Sequence, residues 1–90
     1  MKGRYLEVTY RKGKPLAAYF YLPRADGDTV ASSEPTSGDM VIDRNASGKP
    51  IGIEVLSPAT LTLAALNHVL HQLAQPAAIP ADLTPLPTAA

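Results

Sequence analysis

The sequence predicts an α+β domain: an antiparallel meander of four to five strands with one C-terminal helix packed on one face. Three observations predict it. Apolar residues recur with period two in several segments before residue 57, as in half-buried strands. The connections at 11–15 and 44–49 are short and carry Gly, Pro and Asn, which favours antiparallel neighbours. After Ser57 the apolar period lengthens to about 3.6, the period of an amphipathic helix.

The first strand is Arg4 to Tyr10, with Leu6, Val8 and Tyr10 on one side and Tyr5, Glu7 and Thr9 on the other. Arg11-Lys-Gly-Lys-Pro15 is a turn. Leu16 to Leu22 forms the second strand; Leu16, Ala18, Phe20 and Leu22 face one way, Ala17, Tyr19 and Tyr21 the other. Pro23 to Gly38 reads mostly as loop, with Thr29–Ala31 as a candidate short edge strand. Asp39 to Asp43 is a compact apolar strand between two carboxylates, and Arg44 to Gly48 is a turn. Pro50 to Leu56 follows; Ile51, Ile53 and Val55 share one face, Gly52, Glu54 and Leu56 the other. Pro50 stands where a missing donor is tolerated.

Ser57-Pro58 reads as a helix start, a capping hydroxyl followed by proline at the first helical position. Leu63, Leu66, Val69, Leu70 and Leu73 form the apolar stripe, with Asn67, His68, His71 and Gln72 largely off it. Pro76 ends the helix near Ala74 or Gln75. The domain is thus expected over 1–75. Residues 76–90, rich in proline and alanine, read as a semi-extended tail. The alternative is that Ile79, Leu83 and Leu86 dock on a neighbouring surface.

Ninety residues suit one small domain. Lys+Arg and Asp+Glu both number 8, so the net charge is zero and there is no basic excess to drive nucleic-acid binding. The absence of cysteine excludes disulfides, thiolate chemistry and cysteine-based zinc sites. Neither a leader-like apolar run nor a membrane-spanning stretch is visible, so a cytoplasmic location without membrane contact is expected. Both faces of the predicted sheet carry apolar residues and one helix covers only one of them. A homodimer or a protein partner is therefore expected.

The segment from Met40 to Ser57 resembles the YuzE-like small bacterial proteins, a domain of unknown function. The resemblance lies in a strand ending in Asp43, a turn with Gly48, and then Ile51, Gly52, Ile53, Glu54, Val55 and Leu56. The N-terminal hairpin is similar to that family's opening strand pair, although Arg11-Lys12-Gly13-Lys14 stands where the family usually carries an Asp-rich turn. The likeness covers residues 4–57. It implies an antiparallel sheet with a terminal helix and no established activity. Some members lie beside toxin-like genes, which implies an antitoxin-like role.

Five residues stand out as candidate functional or interface positions: Asp43, Gly52, Glu54, Tyr19 and Tyr21. Pairing through the 44–49 turn could bring Asp43 and Glu54 together as an acidic pair. The weightier reading gives Asp43 a turn-capping role and leaves Glu54 on a solvated or interface surface, beside Arg44 or Lys49. Glycine within a strand signals a bulge or a close approach, here attributed to packing of the helix. His68 and His71, at i and i+3, could hold a metal with a third ligand; solvated histidines are the weightier reading. Ser32, Ser33 and Ser57 lie in no nucleophile motif. Tyr5, Tyr10, Tyr19 and Tyr21 suit a protein interface better than a base-stacking surface. No catalytic residue and no cofactor is expected. The leading reading is a non-enzymatic interaction module; the alternative is a ligand- or metal-binding protein or enzyme using Asp43, Glu54, His68 and His71.

Overall fold

The computed structural model describes residues 3–36 and 38–86. Met1, Lys2, Ser37 and the last four positions of the tail, 87–90, lie outside the described residues. Among the described residues five strands form one antiparallel sheet: β1 (Tyr5–Arg11), β2 (Lys14–Tyr21), β3 (Ser32–Thr36), β4 (Met40–Arg44) and β5 (Pro50–Val55). One helix follows, α1 (Leu63–Gln72), flanked by 3₁₀ turns at Pro58–Thr60 and Pro80–Leu83. The expected α+β fold is what the chain forms. The spatial order is β1-β2-β5-β4-β3. β3, β4 and β5 follow one another as a meander, and the β1–β2 hairpin joins it along β5.

The hairpin turn is two residues long, and both take positive φ, Lys12 at 53° and Gly13 at 77°. That geometry matches the twist of the flanking strands. Thr9 faces Ala17 while Tyr10 faces Pro15, so Leu16 is an extra residue bulged out of β2 and β1 runs unbroken. The edge strand lies at Ser32–Thr36, not at the expected Thr29–Ala31. β4 sets its position, pairing Ser33 with Asp43 and Pro35 with Val41. Proline fits there because an edge strand has one row of unpaired donors.

The helix starts later than Ser57-Pro58 suggested. Pro58–Thr60 forms only a 3₁₀ turn, and Leu61 returns to extended backbone. The cap is Thr62, whose hydroxyl accepts from Ala65 N at 3.1 Å. At the far end Ala74 takes φ 56°. Ala74 N donates to His71 O and Gln75 N to Leu70 O, a Schellman closure made without glycine.

Leu66, Val69 and Leu70 of α1 are buried against Leu6, Phe20, Ile42 and Ile53 of the sheet. Over its described part, residues 76–86, the tail does not extend into solvent. Ala78, Leu83 and Leu86 are buried in the same core, while Ile79 is exposed. Polar groups fix the segment as a strap across the core face. Asn67 brackets Ala78, accepting from its N at 2.6 Å and donating to its O at 3.2 Å. Arg4 donates to Pro76 O at 2.6 Å and Ala77 O at 3.2 Å, and the Tyr10 hydroxyl donates to Pro85 O. A sheet and a ten-residue helix leave core area uncovered in so small a domain, and the strap closes it. Replacing Leu83 with alanine is expected to lower the unfolding free energy by about 2–4 kcal/mol. Urea unfolding measures this, and an unchanged midpoint would place the strap outside the cooperative core.

Candidate functional site

Alternation sends Tyr5, Glu7, Thr9, Tyr19, Tyr21, Val41, Asp43, Gly52 and Glu54 to the face opposite α1. Two rows cross it. Tyr5, Tyr21, Gly52, Asp43 and Ser33 lie in one; Glu7, Tyr19, Glu54, Val41 and Pro35 lie in the next. This open face is the candidate site.

Its β1–β2 half is aromatic. Tyr5 and Tyr21 stack with centroids 4.4 Å apart, and Tyr19 meets Tyr21 edge-on at 4.7 Å. The Arg24 guanidinium lies 5.1 Å from the Tyr21 centroid. It is held there by a 2.6 Å hydrogen bond to Ile51 O and a longer one, 3.5 Å, to the Tyr19 hydroxyl. The Tyr21 hydroxyl donates to Glu7 at 3.2 Å.

At the centre stands Asp43, the one buried polar or charged residue among those described, 5% exposed. A buried carboxylate is costly unless donors satisfy it. Here each oxygen has one: Tyr19 Oη donates to Oδ2 at 2.9 Å, and Ser33 Oγ to Oδ1 at 2.7 Å. Tyr19 sits on β2 and Asp43 on β4, so the phenol must pass over β5 between them. It passes over Gly52. A Cβ there would fall 2.0 Å from Tyr19 Oη. Space, rather than backbone conformation, therefore dictates this glycine. The expectation that helix packing requires it is corrected: Gly52 faces away from α1 and makes room for Tyr19.

The acidic pair, the lesser of the two readings, does not form. Asp43 pairs with Gly52 and Glu54 with Val41, so the two carboxylates lie a pleat apart on one face. Asp43 caps no turn; its partners are Tyr19 and Ser33. Glu54 is exposed and in register with Tyr19, and Arg44 pairs with Glu34 at 3.1 Å rather than with Glu54. His68 and His71 are exposed on α1, across the sheet from Asp43 and Glu54. Among the described residues no group of three or more His, Cys, Asp or Glu side chains is placed to hold a metal, and no helix is long and apolar enough to cross a membrane. Arg24 and Ser33 complete the polar chain, yet neither stood out as part of a site. Only the fold places them beside Tyr19 and Asp43.

Burial, then donation to Asp43, pushes the Tyr19 hydroxyl up to about 12, against the opposing pull of Arg24. Burial and then Glu7 raise Tyr21 as well. Tyr19 thus keeps its proton at neutral pH, and the polar chain Ser33–Asp43–Tyr19–Arg24 braces the face. No family model matches the chain, and no curated protein or solved structure matches it either.

Two expectations follow for this face. Gly52→Ala should cost about 1–3 kcal/mol through overpacking, and much less in a Tyr19→Ala background, where the clash is gone. Chemical denaturation of the four proteins of that cycle checks it; additive losses would refute the steric assignment. A tyrosine whose folded pKa is raised adds stability in full below its unfolded pKa and loses it as pH rises toward the folded one. Stability should therefore fall between pH 10 and about 12. Tyr19→Phe should flatten that fall, as urea midpoints across the range would show.

Proposed function

We propose that the chain is a non-enzymatic protein-interaction module and that its open sheet face receives a protein partner. One observation carries this reading: a braced cluster of Tyr5, Tyr19, Tyr21 and Arg24 lies on the side of the sheet away from the helix and the strap. Tyrosine and arginine are enriched where proteins meet, since they bring large contact area with a polar tip. These side chains are already fixed by stacking and hydrogen bonds, so little conformational freedom is left to lose on binding. Tyr5 and Leu56, 46% and 55% exposed, extend the apolar area, and the exposed Glu7 and Glu54 add acidic groups to it. The chemistry suits a partner that offers apolar side chains with basic neighbours. An antitoxin-like role, with a toxin as that partner, is one form of the reading and accords with the resemblance to YuzE-like proteins.

The test is capture of a stoichiometric partner from the native host on the tagged chain. Leu56→Asp should abolish capture while leaving the unfolding free energy within about 1 kcal/mol of the parent, and Tyr5→Ser should abolish it at a cost of about 1–2 kcal/mol from the lost stack on Tyr21. Capture that persists equally in both variants would reject the face as the binding surface.

A further inference from the structure

The two edges of the sheet differ. β3 has five residues and carries Pro35, which offers no backbone donor, with Glu34 beside it. Shortness, proline and charge are the usual devices that keep an edge from pairing. β1 has seven residues, no proline, and no bulge of its own, because the extra residue is Leu16 in β2. Among the described residues, β2 supplies all of its backbone partners. The strap reaches this end of the sheet through the side chains of Arg4 and Tyr10, and forms no backbone bond to β1.

The side chains of β1 are complementary to themselves. In an antiparallel pairing of two β1 strands about a two-fold axis at Thr9, Glu7 of each copy faces Arg11 of the other. Val8 faces Tyr10, and Thr9 faces Thr9. Opposite charges, a β-branched residue against an aromatic, and paired threonines are all favourable cross-strand neighbours. Centring on Val8 instead would set Glu7 against Thr9 and Arg11 against Tyr5, with no charge pair. Within the chain neither Glu7 nor Arg11 forms a salt bridge among the described residues, and both are exposed. Alternation places Glu7, Thr9 and Arg11 on the open face, beside the tyrosine cluster.

We propose that two copies of the chain associate by antiparallel pairing of their β1 strands, centred on Thr9. A two-fold pairing consumes both β1 edges at once and closes, so it makes a dimer and not a fibre. The two sheets become one, and the two tyrosine faces lie side by side on it. This association uses the edge of the sheet and shares Glu7 with the partner surface proposed for its face.

Light scattering coupled to size exclusion provides the test. The wild type should run at twice the 9.5 kDa chain mass at high micromolar concentration. Glu7→Arg and Arg11→Glu should each weaken the dimer by about tenfold or more, since symmetry counts each change twice. The double exchange should recover the wild-type affinity to within about threefold, a rescue that misfolding cannot imitate. Hydrogen exchange should show β1 amides becoming protected as concentration rises. A wild type that stays monomeric, single variants that dimerise normally, or a double variant without recovery would each overturn the proposal. Leu56→Asp should leave the dimer intact, which separates this failure from failure of the partner reading.

Discussion

The structure depends on the seam where the N-terminal hairpin meets the meander. Ala18 to Tyr21 of β2 pair with Gly52 to Val55 of β5, and this ladder joins the two halves of the sheet. Tyr19 spans the seam from above, reaching from β2 over Gly52 to Asp43 on β4. Three strands are thereby fixed by one side chain. The arrangement has three conditions: a glycine under the ring, a carboxylate two strands away, and a second donor, Ser33, for the other carboxylate oxygen. Relaxing any one leaves a buried polar group unpaired or a clash in the sheet.

The opposite face solves a different problem. A helix with Leu66, Val69 and Leu70 inward cannot alone cover a sheet core that includes Leu6, Phe20 and Met40. The strap supplies the missing layer with Ala78, Leu83 and Leu86. Its prolines suit it to this use, because their fixed φ leaves the unfolded segment less freedom to lose when it docks. Asn67, Arg4 and Tyr10 then satisfy the backbone carbonyls of Pro76, Ala77, Ala78 and Pro85. Closure on one side and openness on the other give the domain its polarity. The chain covers its apolar face itself, whereas the aromatic face is braced without being covered. Bracing without covering is the condition under which a surface binds at low entropic cost, and it is the basis on which we propose an interaction role.

The period-two segments read from the sequence became β1, β2 and β5, the compact apolar run became β4, and the apolar stripe became the buried side of α1. These features are local. Side-chain alternation and turn chemistry are properties of a few consecutive residues, so no tertiary information is needed to see them. The edge strand β3 was not legible, because Ser32-Ser-Glu-Pro-Thr36 has neither alternation nor β propensity, and β4 alone gives it an extended partner. Ser57-Pro58 carried a correct local signal for a turn of helix, but Thr62 offered the better cap four residues after proline.

For the candidate site, the sequence by itself determined part of the membership: alternation grouped Tyr19 with Tyr21 on β2 and Gly52 with Glu54 on β5, and strand chemistry marked Asp43, while Arg24 and Ser33 were not legible. Tertiary structure decided what those residues do. Whether Asp43 meets Glu54 or Tyr19 depends on the register of β5 between β2 and β4, set by contacts far apart in sequence. A shift of one residue would have reversed every side chain. The fate of residues 76–86 was likewise nonlocal. Prolines at 76, 80 and 85 keep an α-helix or strand out of the segment, which forms only the 3₁₀ turn at Pro80–Leu83, but only the gap beside α1 determines that Leu83 and Leu86 fill it.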